Sequence, residues 1–452
     1  MARLELTAFD AIVGFDQGYE AHHLYVINLH GERLFDAKVN SDAKGLQDWL
    51  EKLRHTLGHQ NLGRVALATE SPSAPWLPQM MTLGIAVFTI NPAQIAAARK
   101  LEAPSAAKDD RRDSRLLAEF LLFKPGCYER LQPPPDVIDE LRLLLRRDHQ
   151  LHKAHHQQAE QLRDQLHNSL PQLLPFSSGA DDPWLWQLLA KHAPTLLTVL
   201  PPAEACQQVL DAFRVRRLKG EELHQALALG LLPHLTGRRA QTLLDLRVGQ
   251  VRTLQAVWQE WRAIQTRVAK IMAELLATEP HTAAGPTTTE TSSVSMAATG
   301  TPSGAGVAVA PEALRPLSVA EVAQLLNSLP GSGPRTLPVL VVEGWLQWST
   351  LDLAHLRSYS GVAPVVEASG KQHRVRMRQA CNQRLRDALR FSVDAFRHHD
   401  PRAKAIYDGL KEAGRSHWRA LRGVGDRYLT LAFSVLRHRT PYDPARRQLA
   451  EA

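Results

Sequence analysis

The chain is predicted to be α/β at its N-terminal end and all-α beyond it, with the helical part strongly basic. Three observations lead there. Over residues 1–132, short apolar runs of β character alternate with amphipathic stretches of helical period. After the break Pro133-Pro134-Pro135-Asp136, the chain reads as long helices, one of them with apolar residues alternating at spacings of three and four. From Lys371 to Ala452 there are 19 Lys/Arg against 8 Asp/Glu, an excess larger than the net charge of +8 on all 452 residues.

Asp10–Gly18, His22–Gly31 and Glu32–Asn40 read as three short strands, the last two joined by a turn at His30-Gly31. A helix follows over Ala43–Leu57, with Leu46, Trp49, Leu50, Leu53 and Leu57 on one face. Arg64–Glu70 and Ile85–Asn91 read as buried strands flanking a helix at Ala74–Gly84, and Asp110–Phe123 is helical. Three antiparallel strands followed by βα units give a mixed sheet with helices, the order of a ribonuclease-H-like, resolvase-like domain.

The next region, 133–278, reads as a helical coiled coil. One helix is predicted from Val137 to about Leu170, and shorter ones over 171–237. A second long helix carries Leu254, Val257, Trp261, Ile264, Val268, Ile271 and Leu275 in strict heptad alternation. The two long helices are expected to pair as an antiparallel hairpin or to form a dimer interface. Residues 279–316 are dominated by Thr, Ala, Gly, Ser and Pro without one aromatic, too little apolar surface to order a segment, and read as a linker. Residues 317–452 form the basic C-terminal domain.

Composition narrows the function classes. Cys127, Cys206 and Cys381 lie far apart with no CxxC spacing, which points to a reducing, cytoplasmic setting and away from a disulfide scaffold or structural zinc. No apolar signal core stands at the N-terminus, so export is not expected. No run approaches the roughly 18 uncharged apolar residues of a membrane span, so no membrane partner is expected. A cationic surface of this density attracts phosphate backbones and releases their counterions.

Four carboxylates carry the chemistry. Asp16 ends one apolar strand and Glu70 another, where a merely structural carboxylate is costly. Asp110 and Asp113 share a helix face three residues apart, although Asp109 and Asp113 at spacing four would share one equally well. Converging hard oxygen ligands suit Mg2+, two ions per site being the arrangement that activates an attacking oxygen and stabilises a leaving one. Asp16 would bridge both ions.

A second constellation lies near the C-terminus. Leu326–Glu343 resembles a helix-hairpin-helix whose Gly331-Ser332-Gly333 turn would offer backbone amides to a phosphate. Ser369 follows in a small loop before Gly370 and the cationic run Lys371, Arg374, Arg376 and Arg378, with Arg384 beyond. A serine attacks phosphorus only if its proton is removed and the developing charge neutralised. The arginines serve the second need, and His373 or a metal-bound hydroxide the first; on local features alone Ser369 reads as a turn or cap serine. His149, His152, His155 and His156 read as a polar helix face rather than a metal site, and Trp258 and Trp261 as core or seam.

Both constellations in this order resemble the DEDD-type insertion-sequence transposases related to pilin-gene inverting site-specific recombinases. The resemblance covers residues 10–125 and 320–445. It rests on Gly14-Phe15-Asp16, Glu70-Ser71-Pro72-Ser73, Lys108-Asp109-Asp110-Arg111-Arg112-Asp113-Ser114, Pro330-Gly331-Ser332-Gly333-Pro334, Gly361-Val362-Ala363-Pro364 with Ser369-Gly370, and Tyr442-Asp443-Pro444. Ser332 and the missing glycine after Glu70 depart from the family pattern. The resemblance implies a transposase that cuts and rejoins donor and target DNA. It favours Asp110 over Asp109 and makes Ser369 the nucleophile. It also implies a guide RNA and assembly into a dimer or tetramer. The residues alone leave two alternatives: a resolvase-like nuclease in which water attacks, and an element protein that only binds nucleic acid.

Overall fold

The computed structural model describes residues 6–71, 74–102, 109–128, 130–176, 182–192, 199–230, 232, 234–278, 315–369 and 372–444. The chain divides into two compact units, residues 1–134 and 135–452.

The first unit is a five-stranded mixed sheet with helices on both faces. Its elements run β1 (Ala11–Asp16), β2 (Ala21–Ile27), β3 (Arg33–Asn40), α1 (Ala43–Leu57), β4 (Val65–Thr69), α2 (Leu77–Thr82), β5 (Ala86–Thr89), α3 (Pro92–Glu102) and α4 (Asp110–Phe123). Strand order is β3-β2-β1-β4-β5. The first three strands pair antiparallel, whereas β1, β4 and β5 are parallel. Side chains alternate across the sheet, so each strand feeds two cores. Val13, Phe15, Leu24, Leu67 and Val87 pack on Trp49 and Leu53 of α1. Ile12, Ala66, Ala68 and Phe88 pack on Ile95 of α3 and Leu117 and Leu121 of α4. Helix α1 has a sharp start and stop: the Gly45 amide donates to the Asp42 side chain at 2.7 Å, and Gly58 closes it at φ +70.

Two long helices, α5 (Asp136–His167) and α9 (Gly237–Ala277), form the spine of the second unit. Between them lie α6 (Pro183–His192), α7 (Ala203–Ala212) and α8 (Gly220–Ala228). The long pair runs antiparallel within the one chain, because Glu140 pairs with Arg267, Arg147 with Glu260, and Trp261 Nε1 donates to Asp148. The heptad stripe on α9 faces this seam. Toward one end Leu162 and Leu166 of α5 and Val251 and Leu254 of α9 share a core with α6–α8. Toward the other, Ile138, Leu141 and Leu144 of α5 and Val268, Ile271 and Met272 of α9 join the core of the C-terminal helices.

Those helices are α10 (Val319–Asn327), α11 (Leu337–Glu343), α12 (Trp345–Thr350), α13 (Leu353–Tyr359), α14 (Gln383–His399), α15 (Pro401–Glu412) and α16 (His417–His438). A two-stranded hairpin, β6 (Val365–Ser369) and β7 (Gln372–Arg376), interrupts them. This is an addition to the expected all-α domain. Tyr442 ties the last turn down, its amide donating to Ser328 Oγ and its hydroxyl to Asp400, at 2.9 and 2.8 Å. The predicted linker 279–316 lies almost wholly outside the described residues. Among the described residues no helix is long and apolar enough to cross a membrane.

Candidate functional site

Phe15 and Thr69 are partners in the parallel β1–β4 pair. Asp16, the last residue of β1, and Glu70, the residue after β4, therefore stand at the ends of neighbouring strands, which lie about 4.8 Å apart. Alternation puts them on the same face as Ile12, Gly14, Ala66 and Ala68, the face that α3 and α4 cover. Helix α4 crosses β1 at unusually close range over Gly14. A Cβ there would lie 1.7 Å from the Ser114 carbonyl oxygen and 2.8 Å from the Ala118 nitrogen. Glycine at this position is thus what lets α4 bring its first turn to the strand ends.

Asp113 is in that turn, 1 % exposed. Its Oδ1 accepts a hydrogen bond from Arg99 Nε at 2.5 Å, and Nη2 of the same guanidinium stands 3.9 Å from Glu70 Oε1. One positive charge is held between two of the acids. Asp109 is the N-cap of α4, accepting from the Arg111 amide at 3.2 Å. That duty distinguishes it from Asp110, which opens the helix and is exposed. Carboxylates here also meet the positive end of the α4 dipole.

Sequence reasoning missed Arg99 and His23. Arg99 follows Ile95 by one turn on α3, a helix signalled by the Asn91 cap on Ala93 and by Pro92 at its first position. His23 lies directly across the β1–β2 pair from Asp16, and its Nδ1 is 2.9 Å from Ser114 Oγ. Burial holds the His23 imidazole below its ordinary range, Arg111 adding to this and Asp36 opposing it.

In one respect the geometry differs from the expected converging quartet. Among the described residues no three His, Cys, Asp or Glu side chains are grouped so as to hold a metal ion. Between Glu70 and Asp113 lies the Arg99 guanidinium, which contacts both. Chemically the set still suits a hard divalent cation, being carboxylate oxygens throughout.

In the second unit Ser369 is the last residue of β6, paired with Gln372 across the hairpin rather than lying in a loop. Gly370 and Lys371, at the tip, lie outside the described residues. Arg374 and Arg376 are on β7, opposite Glu367 and Val365. Arg378 Nε donates to the Ala363 carbonyl at 3.3 Å, and Arg384 is 3.6 Å from Glu343.

The Gly331–Gly333 turn departs from expectation. The Ser332 amide donates to Leu329 O, and the Gly333 amide to Gly331 O and Thr336 Oγ1. Gly331, at φ +91, is pressed against α14, where a Cβ would lie 2.1 Å from Ser392 O. These amides already have partners within the chain, and packing against α14 explains Gly331. Ser332, the departure from the family pattern, bonds Tyr428 OH at 3.1 Å. In the histidine run His155 is buried and packs on Trp186 and Trp261, which departs from the polar face expected of it, while the more exposed His152 packs on Trp261.

Comparison with known proteins adds independent findings. A DEDD, IS110-type profile described as "Transposase" matches residues 13–171, and a "Transposase IS116/IS110/IS902 family" profile matches residues 323–408. The chain is 27 % identical over 175 residues to a protein of Sinorhizobium fredii (strain NBRC 101917 / NGR234) named as transposase y4uE, covering 39 % of this chain and 49 % of that one. It is 33 % identical over 120 residues to the insertion element IS110 uncharacterized 43.6 kDa protein of Streptomyces coelicolor, covering 26 % and 30 %. A mini-circle protein of the same organism, named as the transposase for IS117, is 25 % identical over 436 residues, 96 % of this chain and 95 % of that one. The chain therefore spans about half of the first relative and under a third of the second.

Proposed function

We propose that this chain, which belongs to the IS116/IS110/IS902 transposase family, cuts and rejoins DNA by divalent-metal-assisted phosphoryl transfer with Ser369 as the attacking group. The observation that supports the reading is that Asp16 and Glu70 lie at the ends of adjacent strands, with Asp113 joined to Glu70 through Arg99. All four acids fall within one family match, and Ser369 within the other.

Asp16, Glu70, Asp110 and Asp113 are the residues to hold magnesium, two ions in the complete site. When bound, the metal supplies positive charge that polarises the phosphodiester. Arg99 neutralises part of the acidic face and would have to release Asp113 for a cation to take its place. Ser369 contributes the new bond: Oγ joins phosphorus while the bond from phosphorus to the leaving strand breaks. The serine proton passes to a base, with His373, opposite Ala368 in the hairpin, as the candidate, and the departing oxygen takes up a proton. Lys371, Arg374, Arg376 and Arg378 balance the charge that develops. A serine phosphodiester keeps the bond energy of the strand, so the hydroxyl of a second DNA end can displace the serine and reseal.

Donor and target DNA are the substrates. A guide RNA, and a dimer or tetramer in which acids and serine reach the same phosphate, complete the reading; family resemblance and the basic C-terminal surplus support them. In a guided system the protein reads backbone and shape while base pairing reads sequence.

The test is a denaturing gel for covalent protein–DNA adducts, comparing wild type, Ser369→Ala and Asp16→Ala with the element's flanking DNA and noncoding RNA. An adduct lost in both variants is expected. Cleavage that persists in Ser369→Ala, with no adduct in wild type, would make this a water-using nuclease.

A further inference from the structure

We infer that the groove between the β6–β7 hairpin and helices α14 and α16 binds one unstacked nucleotide of the DNA strand that Ser369 attacks. The base lies against Trp418 and the flanking phosphates among the arginines. This rests on the recombinase reading and adds to it a recognition site in a defined place.

The groove encloses about 450 Å3, the range of a small-molecule site. Five arginines line it: Arg376 from β7, Arg386 and Arg390 from α14, Arg419 and Arg422 from α16. No carboxylate is among the residues that line it. Asp387 pairs with Arg386 and Arg390 at 3.8 and 3.5 Å from outside the lining. Burial lowers Arg422 from the usual arginine range, and the neighbouring Arg419 adds to this. Two like charges set together in this way are relieved by an anion.

Charge alone would fit any phosphate. The floor decides among them, because Val375, Leu389 and Val393 make it apolar. Trp418 stands at the rim with 60 % of its surface exposed, unusual for so large a ring. Arg390 lies 4.0 Å over the indole and holds it in place. A flat π surface with adjoining phosphates is what a nucleotide offers, and aromatic platforms beside cationic grooves are how single strands are held. A free phosphate would leave the apolar floor and the indole without use.

Position ties the groove to the reaction. Arg376, in the groove, pairs with Val365 at the base of the hairpin, and Ser369 is four residues along β6. At about 3.4 Å per residue the two are roughly 14 Å apart. That is about four stacked nucleotides of one strand, fewer if the strand is stretched.

The experiment uses the full chain and a fluorescein-labelled 12-residue single-stranded DNA, with affinity read by anisotropy across a salt series. Trp418→Ala should weaken binding about 5- to 140-fold, the loss that base stacking of about 1–3 kcal/mol represents. Trp418→Phe should restore most of it. An abasic residue scanned along the oligonucleotide should reproduce the loss at one position in wild type and add nothing in Trp418→Ala. Arg419→Ala and Arg422→Ala should each reduce the slope of log K on log salt by about 0.7. Wild-type affinity in Trp418→Ala, or indifference to every abasic position, would overturn the inference. So would Trp418-dependent binding confined to an RNA of the same sequence. DNA binding that ignores Trp418 would remove the groove alone, whereas a wild-type chain that binds no DNA would remove the recombinase reading with it.

Discussion

Replacing Gly14 by alanine tests how the acidic face is assembled. The added Cβ would sit 1.7 Å from Ser114 O and 2.8 Å from the Ala118 nitrogen, where real Cβ contacts essentially never fall below 3.0 Å. Both obstructing atoms are backbone, so no rotamer change relieves them and α4 must retreat by more than about 1 Å. Overpacking of this kind costs about 1–3 kcal/mol. For a unit of 134 residues that lowers the melting temperature by about 3–5 °C per kcal/mol. Asp113 precedes Ser114, so the retreat also opens its 2.5 Å bond to Arg99 and carries both helix acids away from Asp16 and Glu70. Misplacement by about 1 Å costs on the order of 100-fold in rate. The assay is thermal unfolding beside magnesium-dependent cleavage of the element's DNA. A variant that melts within about 1 °C of wild type and cleaves equally fast would refute the claim that this close crossing places the acids.

Arg99→Gln leaves the buried Asp113 without its guanidinium, which should destabilise the metal-free protein by about 3–5 kcal/mol. Magnesium should then raise its melting temperature more than it raises that of wild type, since the cation no longer displaces an arginine. Equal shifts in calorimetry would contradict the bridging role. Gly331→Ala should cost at least about 2 kcal/mol, because its Cβ meets Ser392 O at 2.1 Å and φ is +91. Unchanged urea unfolding with weakened DNA binding would instead restore the phosphate role of that turn. The pH dependence has a definite sign. Burial lowers His22, His23 and His149 from 6.5, so below about pH 6.5 the unfolded chain takes up protons that the folded chain resists, and stability falls as pH falls. A melting temperature that is flat or rises from pH 7 to pH 5 would contradict this.

The parts of the site that were legible in the sequence are those whose signal is local. Ala11–Phe15 and Val65–Thr69 are unbroken apolar runs with an acid immediately after, and a parallel strand buried on both faces leaves that pattern. Asp110 and Asp113 announce themselves by their spacing on a helix. Leu254–Leu275 shows its seam because a heptad repeats. Arg99 was hidden because α3 buries only Ile95 and Ala98, too few positions to mark a face. The β6–β7 hairpin was hidden for another reason: VVEAS and QHRVR are five residues each, hold only three β-branched residues between them and sit beside a cationic segment that reads as loop. The groove at Trp418 is long-range by nature, since its walls come from stretches about 60 residues apart. No local pattern encodes that.

The α5–α9 hairpin carries a mechanical consequence. At 1.5 Å per residue, the 32 residues of α5 extend about 48 Å. One end is embedded in the core of the C-terminal helices, and the other bears α6–α8 on a separate core. A tilt of about 10° where the pair is rooted would swing the far end by roughly 8 Å over that length. A small adjustment within the C-terminal core would thus become a displacement as large as a protein side chain at the remote helices. Whatever grips α6–α8 would feel the C-terminal end of the pair through leverage, with no relay of side-chain rearrangements needed.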